Sequence, residues 1–178
     1  RDHWTPRPGR IEEVIRLAST DRTTTETDGD PETGEPPRNA ATRLAAKYFD
    51  VLRKPEWRDP RGFIVPADQP DFPTAVKFIN ALVKSGIVIH RATADFAVAG
   101  RRYPADSFVV KTDQAFRPHV LDMFEPQDHP NDFRYEGGPP NKPYDVAGWT
   151  LAFQMGVKFD RMLDGFDGPF ERLPYGRL

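Results

Sequence analysis

Two histidines, four acids and an arginine crowd the stretch FRPHVLDMFEPQDHPNDF at 116–133. His119 and Asp122 stand three apart, so they share one face of any helix formed there, with Glu125 a turn further on and His129 beyond Pro126. Imidazole and carboxylate groups are zinc-ligand types. His119, Asp122 and His129 therefore make a candidate metal-binding or hydrolytic set. The same stretch also has a purely architectural reading. Val120, Leu121, Met123 and Phe124 supply the buried side of a helix, Pro126 ends it, and His119 and Asp122 are surface neighbours.

A second set of polar residues follows three apolar runs. GFIVP (62–66) leads to Asp68 and Gln69, IVIH (87–90) ends on His90 with Arg91 behind it, and SFVV (107–110) leads to Thr112, Asp113, Gln114 and Arg117. In an open parallel sheet such strand ends line a crevice where ligands bind. Asp68, Gln69, Arg91, Gln114 and Arg117 are thus candidates for holding a small polar ligand or a peptide end, with Arg91 or Arg117 gripping a carboxylate by a bidentate pair. The alternative is that they cap helices and tie loops together.

Other chemistries lack their residues. No cysteine is present, which excludes a disulfide framework, a thiolate zinc site and a cysteine nucleophile. No Gly-x-Ser-x-Gly elbow occurs, and the turn after Val110 reads Lys-Thr-Asp-Gln-Ala, so a serine triad has no natural nucleophile. GGPP (137–140) lacks the lysine and the strand-to-helix setting of a phosphate loop. Lys+Arg 25 against Asp+Glu 27 leaves a net charge of −2, with no electrostatic footprint for nucleic acid. No run approaches the length of about 18 apolar residues that a membrane span requires. Arg1-Asp2-His3-Trp4 carries neither a starting methionine nor an apolar signal segment, so the chain reads as a processed product or a piece of a larger protein.

The elements that position these groups follow from periodicity. The 178 residues suffice for one ordinary domain with an arm. Ile11, Val14, Ile15 and Ala18 predict a short helix over 10–18, and 19–39, without a large apolar residue, predict an exposed linker. Residues 40–55 predict a helix stopping at Pro55. GFIVP, a helix capped by Asp71 and ended by Gly86, and IVIH together predict a β-α-β unit with parallel strands. FAVAGRRYPADSFVV (96–110) predicts two strands, 144–156 a helix and VKFDRML (157–163) a last strand.

The segments RDPRGFIVPADQPDFPTAVKFINALVKSGIVIHRAT, YPADSFVVKTDQAFRPHVLDMFEPQDHP and PYDVAGWTLAFQMGVKFD resemble the region downstream of the catalytic domain in large bacterial zinc carboxypeptidases of the carboxypeptidase A-like family. The resemblance covers roughly residues 45–170. It implies a class I glutamine amidotransferase-like fold, a flavodoxin-like three-layer α/β arrangement with a mostly parallel sheet at 45–178. An irregular N-terminal arm and polar linker occupy 1–44. It further implies a secreted or periplasmic parent whose catalytic domain binds zinc, a non-catalytic role for this segment, and the peptidase catalytic domain of the same protein as its partner. A peptide substrate is a second possible partner. The family's zinc motif is absent here: His-x-x-Glu occurs nowhere, and His119-Val-Leu-Asp122 is the nearest match. An amidotransferase would likewise need the cysteine that the chain lacks.

Overall fold

The computed structural model describes residues 2–25, 46–126, 132–142, 150–176 and 178. The chain forms two compact units, one of Arg1–Asp59 with Asp128–Asn141, the other of Pro60–Gln127 with Lys142–Leu178.

In the first unit, helix α1 runs Pro8–Thr25. Proline suits a first helical position because its missing N–H would have no partner there. The helix continues well past the expected end at Ala18: Ser19 and Thr20 turn their hydroxyls back onto the carbonyls of Ile15 and Arg16, both at 2.9 Å, so these polar side chains do not break it. A short helix α2, Ala46–Phe49, passes into a 3-10 turn at Asp50–Arg53. Buried Asp59 holds the N-terminal segment, accepting from the Thr5 amide at 3.1 Å and hydroxyl at 2.7 Å. Trp57 lies under both Lys54 and Arg10, at 4.7 and 5.3 Å, and Lys54 reaches Glu13 at 2.8 Å.

The second unit is built on a five-stranded sheet. Its strands are β1 Gly62–Val65, β2 His90–Ala92, β5 Phe108–Lys111, β6 Asp160–Met162 and β7 Phe170–Arg172, in the order β6-β1-β5-β2-β7. Strands β3 Phe96–Val98 and β4 Arg101–Tyr103 form a separate antiparallel hairpin. Helices α3 Phe72–Lys84, α4 Arg117–Phe124 and α5 Leu151–Gln154 complete the unit. Asp71 caps α3 through the Thr74 amide at 3.0 Å, and Gly86 ends it in the left-handed conformation.

Every pairing in the sheet is antiparallel. The flavodoxin-like, mostly parallel arrangement that the sequence predicts is therefore not the fold. Strands β1 and β2 do run in the same direction, as a β-α-β unit requires, but β5 lies between them and runs against both. Between β2 and β5 the chain makes the β3–β4 hairpin, and Pro104, with no N–H to donate, and Asp106, at φ 70°, separate β4 from β5. The segment expected as two strands consequently makes three.

The core has two sides. Phe63, Val65, Phe108 and Val110 face α3, α4 and α5, and Phe63 stacks on Phe124 with ring centres 4.3 Å apart. Ile64, Val109, Ala92 and Met162 face the other way, toward Phe96 and Tyr103 of the hairpin and toward Phe166 and Phe170. Strands β6 and β7 occupy opposite edges of the sheet. The strap that joins them, 163–169, must span four strand spacings, about 19 Å. Its residues reach that far only when well extended, at about 3.3 Å each.

Candidate functional site

The antiparallel sheet separates the strand-end residues. The C-terminal end of β5 lies at the opposite end of the sheet from that of β1, so Gln114 and Arg117 are not brought beside Asp68 and Gln69. Gln69 ties two loops: its amide donates to the carbonyls of Pro66 (3.1 Å) and Lys158 (2.7 Å) and accepts from the Lys158 amide at 2.9 Å. Gln114 similarly accepts from Val88 N at 2.8 Å and donates to the carbonyls of Val88 and Lys111, at 3.1 and 2.6 Å. Arg91 pairs with Asp106, Nε to Oδ1 2.8 Å. Asp68 is exposed, and Arg117 opens α4. His119 and Asp122 lie on α4, while His129 falls outside the described residues. Among the described residues no group of three or more histidines and acids could hold a metal ion.

A denser polar group lies elsewhere, on the sheet face toward the hairpin. Residues directly opposite one another in a sheet share a face, and the register places Asp160, Ile64, Val109, His90 and Arg172 in one row across all five strands. Two apolar residues thus sit between an acid at one edge and a histidine and arginine toward the other.

At the β6 end, Arg101 of the hairpin donates to Asp160 Oδ1 at 2.6 Å and covers the Tyr103 ring at 5.4 Å. Tyr103 is 2% exposed. Its hydroxyl and Asp160 Oδ2 are buried, and neither completes a hydrogen bond of standard geometry. Burial, followed by the nearby Asp160 carboxylate, pushes the phenol up to about 12. Tyr103 is therefore a protonated group at neutral pH and unsuited to act as a base.

Toward the β7 end, His90 Nδ1 is buried without a hydrogen-bond partner. Burial first, then the positive charges of Lys111 and Arg172, hold its proton affinity below that of an ordinary histidine, against the opposing pull of Asp113 and Asp167. Lys111 bonds Asp167 of the strap at 2.9 Å and sits 5.7 Å from the ring centres of both Phe166 and Phe170. Gly62 makes room for that strap. A Cβ there would meet Phe166 Cε1 at 3.0 Å and the Val110 carbonyl at 2.9 Å.

An open cleft of about 490 Å³ adjoins the hairpin, lined by Asp95, Phe96, Ala97, Arg102, Tyr103 and Pro104. Asp95 is engaged with the Ala105 amide at 2.8 Å. The lining offers aromatic surface and a guanidinium but pairs no nucleophile with a base, so its chemistry is that of contact.

Sequence reasoning singled out His90 but not Tyr103, Asp160, Lys111 or Asp167. Arg101 and Asp160 are separated by 59 residues of sequence, and no motif links them. The one legible signal was Lys111 at the end of a fully apolar run, where a charge needs a partner.

No helix among the described residues is long and apolar enough to cross a membrane. No protein-family model, curated protein or solved structure matches the chain.

Proposed function

We propose that this chain is a non-catalytic accessory domain that packs against the catalytic domain of a zinc carboxypeptidase-like peptidase, within one exported protein. The reading draws on the long segments around Tyr103-Pro-Ala and Pro143-Tyr-Asp that resemble that family. One structural observation carries the packing role. Helix α1 buries Val14 and Ala18, at 2% and 6% exposure, yet Ile11 and Ile15, one turn apart, are 45% and 52% exposed. Two isoleucines one turn apart in water, on a helix whose buried residues are Val14 and Ala18, make a small apolar stripe of the kind that anchors a protein contact. The polar residues that would compete for a binding or catalytic role, Gln69 and Gln114, are engaged with backbone groups on both their oxygen and nitrogen atoms.

Zinc belongs, on this reading, to the partner catalytic domain, and the present chain contributes surface to it. The test is a binding measurement between this chain and the peptidase domain encoded with it, produced separately and mixed. Native chain co-elutes with that domain in size-exclusion chromatography, and the double substitution Ile11→Asp with Ile15→Asp separates them without lowering the melting temperature. Absence of a His-x-x-Glu segment from the protein's remaining coding sequence, or a complex indifferent to both substitutions, overturns the reading.

A further inference from the structure

We infer that the cleft beside the β3–β4 hairpin binds a free amino acid, a zwitterion held by Arg102 at its carboxylate and by Asp95 at its ammonium. The cleft measures about 490 Å³, within the range of about 300–1,000 Å³ usual for small-ligand sites. Among its described lining residues, Asp95 and Arg102 carry the charge and the rest are apolar or aromatic.

Of the hairpin's two arginines, Arg101 is committed to Asp160, and nearby Arg91 is committed to Asp106. Arg102 is exposed and makes no hydrogen bond or ion pair among the described residues. The register explains the difference. Side chains alternate along a strand, so Arg102 points away from the face that carries Arg101 and Tyr103, and the residue directly opposite it is Ala97, which offers no polar group. Asp95 lies one residue before β3, diagonally across from Arg102, where an antiparallel pair separates residues by about 7–8 Å. Its Oδ1 accepts from the Ala105 amide at 2.8 Å, which fixes the carboxylate and leaves Oδ2 as an acceptor.

The two charges set the ligand class. An anion alone would be repelled by Asp95, and a cation alone by Arg102. A molecule carrying both signs two bonds apart satisfies each, the guanidinium gripping the carboxylate by a bidentate pair and Asp95 Oδ2 accepting from the ammonium. Ala97, Pro104 and Phe96 offer apolar surface to the ligand's side chain, and Phe96 is held by stacking on Tyr103 with ring centres 5.2 Å apart. An amino acid with an apolar side chain fits this lining best. On the accessory-domain reading it belongs to the class of product that a carboxypeptidase releases, but the site rests on the hairpin's own residues and its test does not involve the partner.

The full chain is titrated with L-leucine and followed by backbone amide shifts in nuclear magnetic resonance. Saturable shifts at Ala97, Arg102 and Ala105 are expected, with a dissociation constant in the millimolar range. N-acetylleucine lacks the ammonium and leucinamide lacks the carboxylate, and each binds about tenfold more weakly, the loss of one charge-assisted contact. Arg102→Gln weakens leucine binding by a similar factor and does not weaken leucinamide, which has no carboxylate to lose. Shifts that do not saturate, or that spread over the whole surface, overturn the proposal. So does N-acetylleucine bound as tightly as leucine, which reassigns the cleft to anions in general, or leucine binding indifferent to Arg102→Gln. Because the analogues require no change to the chain, they decide the matter should the variant fail to fold.

Discussion

Arg101 donates to Asp160 at 2.6 Å and thereby fastens the β3–β4 hairpin to the edge strand β6. The bond closes over a phenol rather than over open sheet, since the Tyr103 ring lies beneath Arg101 and its hydroxyl lies near the same carboxylate. The acid thus serves two partners. It is the point at which the hairpin side of the core is secured by charge as well as by apolar contact.

Removing the guanidinium leaves a partly buried carboxylate without its cation. Arg101→Ala costs about 1–2 kcal/mol, toward the lower end because Arg101 is itself well exposed. Urea unfolding measures it. Asp160→Asn lowers the Tyr103 titration from about 12 toward that of a free phenol, because the nearby negative charge is gone. Ultraviolet absorbance near the phenolate band reports that change.

Gly62→Ala places a methyl 2.9 Å from the Val110 carbonyl and 3.0 Å from Phe166. The chain loses about 1–3 kcal/mol by overpacking. Adding Phe166→Ala restores only part of that loss, because the carbonyl contact lies within the β1–β5 ladder and cannot yield as a ring can. Thermal melts of the two variants give the comparison.

Gln114→Ala distinguishes a loop tie from a ligand contact. Three bonds to the backbone of Val88 and Lys111 disappear together. The expected outcome is a stability loss of about 1–3 kcal/mol, read by chemical denaturation. A variant as stable as the parent shows that these bonds contribute nothing net.

Acid acts in two separate windows. His90 has a folded proton affinity below its unfolded one, so its contribution to stability is complete above the unfolded value of 6.5 and is lost as pH falls through the lower folded value. Asp71 and Asp167 are also shifted down, by the Thr74 hydroxyl and by Lys111 respectively, so their contributions are complete above 3.8 and are lost below it. Urea midpoints measured across the acid range fall in two steps, and His90→Gln removes the upper one.

Much of the local structure was written in the sequence, and the sheet direction was not. Asp71 before Phe72-Pro73, with Gly86 beyond, marks both ends of α3 by cap chemistry that depends on nearby residues alone. GFIV and FVVK misled for a physical reason. Continuous apolar runs usually mark parallel strands because helices cover both faces of a parallel sheet. Here helices cover one face of β1 and β5, and the hairpin and strap cover the other, so antiparallel strands carry the same pattern. Strand β7, FER, has an intermediate phenylalanine followed by two exposed charges and presents no strand signal at all. The polar row depends on the pairing of β6, β1, β5, β2 and β7, which no local pattern specifies, and so Asp160 and Tyr103 were invisible as partners.

Both rims of the sheet come from one stretch of chain, because β6 and β7 are the two ends of a single belt. A premature stop before Asp160 therefore removes both rims in one event and leaves β1 and β2 as naked borders, each with unsatisfied backbone donors and acceptors beside an apolar interior. Such borders are templates for pairing with other chains. The shortened product would be expected to aggregate, whereas a stop after Arg172 leaves both rims in place. Of the described strands of this unit, the two that emerge latest during synthesis are thus the ones that make the sheet self-contained.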